Sequence, residues 1–110
     1  MTIQKDAGEI LLFIYEKYTG GVEYLDAKQI VDTTKWDAGR INRAIHYLND
    51  LGSLKMNFYM GNTNGVHNFG IMGLTPEGIQ TVESKDHFKR NFGFTVNLGL
   101  FSYSWGASEK

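Results

Sequence analysis

The stretch LDAKQIVDTTKWDAGRINRAIHYLNDLG, residues 25 to 52, decides the fold, because it holds two helix starts eleven residues apart and one helix stop. Asp26-Ala27-Lys28-Gln29 has the form of a capping box, in which the Asp26 carboxylate accepts from the backbone of Gln29 while the Gln29 side chain reaches back. A short helix from residue 27 to about residue 32 is expected to follow. Asp37 is the next start, bracketed by Trp36 and, four residues on, Ile41, the spacing of a hydrophobic staple. The second helix of the pair then reaches residue 51, with Ile41, Ile45, Leu48 and Leu51 at helical spacing. Gly52 is placed to end it in a left-handed conformation.

Moving outward, residues 6 to 18 predict a first helix, with Asp6 and Glu9 near its positive end and Gly20-Gly21 as its stop. Ile10, Leu11, Ile14 and Tyr18 share its core face, and Leu12 and Phe13 extend the apolar surface to a second side. On the other flank, residues 53 to 60 and 66 to 72 carry β-favouring residues around the turn-forming run Gly61-Asn62-Thr63-Asn64-Gly65, which predicts a hairpin. Leu74-Thr75-Pro76-Glu77-Gly78 opens a further helix: Thr75 caps it, Pro76 suits its first position, and Gly78 allows close packing. That helix extends to about residue 84 and presents Ile79 and Val82.

Helix, short helix, turn, longer helix, β-hairpin and final helix is an α+β order that resembles the winged helix-turn-helix superfamily, in particular its small bacterial and archaeal members. The segment from Asp26-Ala27-Lys28-Gln29-Ile30 through Ala44-Ile45-His46-Tyr47-Leu48-Asn49-Asp50-Leu51-Gly52 carries the resemblance. So does Leu74-Thr75-Pro76-Glu77-Gly78, which is similar to the stretch that leaves the wing in that family. The resemblance covers about residues 6 to 85. It implies a transcriptional regulator that inserts helix 37 to 51 in the major groove of double-stranded DNA, with the hairpin alongside.

Carried onto this chain, the expected DNA-contacting residues are Gly39, Arg43 and His46 on the outward side of that helix, flanked by Arg40 and Tyr47 on one side and Asn42 on the other. Lys35 before the helix, and Lys55, Asn62 and Asn64 on the hairpin, with His67 as a further donor there, complete the set. An arginine can bond guanine with both arms of its fork, and asparagine can read adenine. Against this, helix 37 to 50 holds two arginines and two aspartates, and residues 53 to 72 hold one lysine and no arginine. A protein held by phosphates normally gathers several cations. A winged-helix protein-interaction module that uses the first helix and the C-terminal tail is therefore the alternative function.

Residues 1 to 87 are expected to form the domain, and residues 88 to 110 an extension. From residue 91 to 108 the chain has no charge. Phe92, Phe94, Val96, Leu98 and Leu100 alternate toward one side, while Phe101, Tyr103 and Trp105 take the other parity, so a strand with a switch at Gly99 is expected. Such a strand needs a cover. The choices are docking within the chain on the flank of Leu12 and Phe13, or pairing in a homodimer or with a partner's sheet.

Composition narrows the remaining classes. One domain suits 110 residues, and the absence of cysteine removes disulfides, thiolate metal sites and thiol nucleophiles. A cytoplasmic setting without a membrane anchor fits that composition. His46, His67 and His87 are scattered, with no zinc-binding spacing, and no P-loop or nucleophile elbow occurs. No enzyme activity, cofactor or small-molecule effector is expected.

Overall fold

Thr2, not Asp6, opens the first helix: its hydroxyl accepts from the Lys5 amide at 3.1 Å, and α1 runs Ile3–Thr19. The computed structural model describes residues 2 to 95. After α1 come β1 (Leu25–Asp26), α2 (Ala27–Thr34), α3 (Ala38–Asp50), β2 (Leu54–Thr63), β3 (Val66–Leu74), α4 (Pro76–Glu83) and α5 (Lys85–Phe92). This is an α+β arrangement of five helices and one three-stranded antiparallel sheet among the described residues, with strand order β1-β3-β2.

The capping box at Asp26 forms in full, with the Gln29 amide donating to Asp26 at 3.0 Å and the Asp26 amide donating to Gln29 at 2.9 Å. Asp37 stands at the N-cap of α3 but its side chain makes no capping bond. The start there rests on packing: Ile41 is fully buried, and Trp36 lies against the core. Ile41, Ala44, Ile45 and Leu48 form the inner stripe of α3, which faces α1. All of residues 10 to 14 are buried, because α1 is flanked by α3, α5, β3 and α4 rather than by one neighbour. Tyr18 departs from its expected place on the core face. It is partly exposed, and its ring lies across Gly73 of β3, where an added Cβ would meet it at 2.9 Å.

The hairpin turn is tighter than the expected run of five. β2 continues to Thr63, and Asn64 and Gly65, with φ of 53° and 89°, make a two-residue turn in which both residues are left-handed. The extra residues are absorbed earlier: pairing passes from Phe58↔Phe69 to Asn62↔His67, leaving residues 59 to 61 of β2 opposite Asn68. They form a bulge with Gly61 at φ 87°.

The hairpin is locked to the last helices at one junction. The Thr75 amide donates to Ser53 O at 3.1 Å, and its hydroxyl donates to Gly52 O at 2.6 Å while accepting from the Gly78 amide at 3.0 Å. A Cβ on Gly78 would overlap the Ser53 carbonyl, so only glycine fits beneath it.

A fifth helix stands where the sequence reading ends the domain. α5 crosses positions 87 and 88, capped by the Ser84 hydroxyl and closed by Gly93 at φ 83°. Phe88 and Phe92 are one helical turn apart, and both are buried. That spacing, with Lys85, Asp86, Lys89 and Arg90 left exposed, overrides the alternation that placed Phe92 on a strand. Phe94 packs edge-on against Phe88 at 5.1 Å, near Gly8 of α1.

Candidate functional site

The side of α3 away from its inner stripe divides into three strips. On the first, Arg40 and Tyr47 turn back to the body of the molecule. Arg40 donates from Nε and a terminal nitrogen to both oxygens of Asp6, each at 2.9 Å, and its guanidinium lies 3.8 Å from the Trp36 ring centre. The Asp6 side chain is only 6% exposed. This is a fork-on-carboxylate pair with a stacking partner, the geometry in which arginine is hardest to replace. The Tyr47 hydroxyl donates to Asn91 O at 3.2 Å and accepts from Gln4 at 3.3 Å, tying α3 to α5 and α1.

The second strip meets the hairpin. Asn42 donates from Nδ2 to Gly65 O at 3.1 Å and accepts at Oδ1 from the His67 amide at 2.9 Å. It thus occupies a backbone donor and a backbone acceptor next to the turn. One turn further along, His46 stacks on Phe58 at 4.5 Å with 10° between ring planes, and its Nε2 lies 3.1 Å from His67 Nδ1. Asn62 accepts from the Gly65 amide at 3.1 Å, and Asn64 holds one of the two left-handed turn positions.

The third strip is open. Arg43 is exposed beside Gly39, and Lys35, left-handed at φ 60°, closes α2. Lys55 is exposed on β2. Arg43 and Arg40 share a surface hollow with Asp6 and Asp37, so the arginines are gathered together with acids rather than apart from them. Of the expected DNA-contacting set, the structure brings Asn42, His46, Asn62 and Asn64 to the seam between helix and hairpin. It commits Arg40 and Tyr47 inward, and leaves Lys35, Arg43 and Lys55 exposed.

A second surface was not marked by sequence. The bulge on β2 carries Tyr59 and Met60, which are 50% and 95% exposed. Asn68 fills the bulge from the partner strand, donating to Met60 O at 3.1 Å and accepting from the Thr63 hydroxyl at 2.8 Å. Phe58 and Tyr24 are also substantially exposed. Tyr24 lies across Gly70 and is hydrogen-bonded to Tyr59. Desolvation first, then the bond to Tyr59, pushes the Tyr24 hydroxyl above the ordinary tyrosine value. Residues 56 to 74 contain no Asp, Glu, Lys or Arg. That uncharged run was the available signal, and the Gly-Asn content of residues 61 to 65 obscured it by reading as a longer turn.

Of the expected interface residues, Leu12 and Phe13 are buried and Phe94 is half-buried against the core. Val96, Leu98, Leu100, Phe101, Tyr103 and Trp105 lie outside the described residues. No helix among the described residues is long and apolar enough to cross a membrane. Comparison with protein-family models, with curated proteins and with solved structures found no match.

Proposed function

We propose that this chain is a winged helix-turn-helix protein serving as a protein-interaction module, and that it assembles with a second copy of itself through the outer strand of its hairpin. The order α1-β1-α2-α3-β2-β3, with β3 central in the sheet, supports the family reading that the sequence resemblance implies. The observation that carries the interaction reading is the placement of Met60. A bulge fixed by Asn68 and Gly61 drives this apolar side chain almost wholly into solvent, next to the half-exposed Tyr59 of the same bulge. Bulges re-aim side chains, and aromatic residues and methionine are enriched where proteins meet. Full burial of one such side chain is worth about 2 kcal/mol. Residues 56 to 74 bring no formal charge of their own to a second copy, so the hairpin run itself adds no like-charge repulsion.

Duplex DNA is the second reading, favoured by the exposure of Lys35, Arg43 and Lys55. Three cations release few counterions, and the strongest donor of α3, Arg40, is already neutralised by Asp6. Titration of a mixed-sequence duplex at fixed and then raised salt tests the choice. The interaction module is expected to show no binding tighter than about 100 µM at physiological salt, the weak limit of non-specific association. Submicromolar binding that falls steeply with salt and is lost in a Lys35→Ala, Arg43→Ala double variant would overturn it.

A further inference from the structure

The seam between α3 and the hairpin brings together two side chains that the proposed interaction surface leaves unused. His46 Nε2 and His67 Nδ1 face one another at 3.1 Å, with ring planes at 82°. Without a shared occupant, two lone pairs at that distance repel. Something must sit between them, either a proton carried by one ring or a cation accepted by both.

The geometry points to a site for a divalent transition-metal ion of the imidazole-binding class, the class of Zn²⁺, Ni²⁺ and Cu²⁺, chelated by His46 and His67. Metal–nitrogen bonds of about 2.0 to 2.1 Å spanning this gap subtend about 100° at the ion, between square-planar and tetrahedral angles. Each lone pair need turn only about 40° from the line joining the nitrogens to aim at the ion. Both residues are exposed, so the rings have room to make that turn.

The surroundings position the pair. Asn42 fixes the His67 backbone through its amide at 2.9 Å, and Phe58 lies flat on the His46 ring at 4.5 Å. Among the described residues no third His, Cys, Asp or Glu joins them, so water completes the coordination sphere. The site is therefore open and exchangeable rather than a closed structural centre. Its two ligands come from different elements, so an ion held there staples the hairpin to α3. Metal binding and closure of that seam are then one equilibrium.

Calorimetric titration of the full chain with Zn²⁺ and, separately, Ni²⁺ tests this, alongside thermal unfolding with and without each ion. The parent is expected to bind one equivalent and to unfold at a higher temperature with metal present. Either His46→Gln or His67→Gln should weaken binding at least about tenfold, because one donor of two is gone. Each should also abolish the thermal shift, while His87→Gln changes neither. No stoichiometric binding by the parent, or binding and a thermal shift that persist in both seam variants, would overturn the proposal. The unfolding curves recorded without metal show whether each variant is folded.

Discussion

Arg40 shows what single residues do here that their neighbours in sequence do not reveal. Its helical position and charge fit a groove-reading or solvated arginine, and its actual partner, Asp6, lies 34 residues away at the start of α1. No local spacing encodes that pair. Truncating the arginine strands a buried carboxylate, so Arg40→Ala should lower stability by about 3 kcal/mol in urea denaturation, the lower part of the range for breaking such pairs because Arg40 keeps some solvent contact. Arg40→Lys should recover only part of this, since an ammonium cannot span both oxygens. Tyr15 supplies a second test at this scale. Its hydroxyl donates to Glu83 at 2.6 Å, and that bond, then burial and the Glu83 charge, push its value up to about 12. An unfolded tyrosine titrates near 10. The contribution is therefore complete below about pH 10 and is lost as the pH rises from about 10 to about 12. Solvent screening limits it to about 1 kcal/mol. Stability measured across that window should fall less steeply in Tyr15→Phe than in the parent.

At the scale of elements, the sequence was most legible where side chains act on their own backbone. The capping box at Asp26, the Thr75 cap with Pro76 behind it, and the left-handed Gly52 all stand where their spacing places them. Legibility failed where two periodicities overlapped. Phe88 and Phe92 satisfy a helix, and Phe92 and Phe94 satisfy a strand; burial of the first pair decided for the helix. The seam formed by Asn42 was equally hidden, because an outward polar residue on a helix is compatible with solvent, DNA or another part of the chain. Asn42→Ala removes two hydrogen bonds to the hairpin, worth about 2 kcal/mol together. Its mark should be local: faster hydrogen exchange at the His67 amide, with core amides less affected. Gly78→Ala tests the junction between hairpin and α4. Helix propensity alone would favour alanine by about 1 kcal/mol. The Ser53 carbonyl occupies the space that the new Cβ needs, so the substitution should instead destabilise by about 2 kcal/mol in the same denaturation measurement.

For the molecule as a whole, charge distribution separates the possible partners. The balance of 11 basic against 12 acidic residues was visible at once, but its arrangement was not: α3 sets its arginines among Asp6 and Asp37, and the hairpin exposes apolar side chains along a run that is uncharged from residue 56 onward. Only folding brings Tyr24, from the segment before β1, beside Tyr59 on the bulge, because β1 and β2 flank the same central strand. A patch assembled from two distant segments has no signature in either. Sedimentation equilibrium of the full chain, run over a concentration series beside Met60→Asp, measures directly whether that patch joins two copies. The parent should approach twice the 12.4 kDa chain mass as concentration rises, and the aspartate variant should stay at the single-chain mass with its fold intact by circular dichroism. A parent that remains at single-chain mass throughout, or a Met60→Asp protein that associates as the parent does, would contradict the proposed assembly.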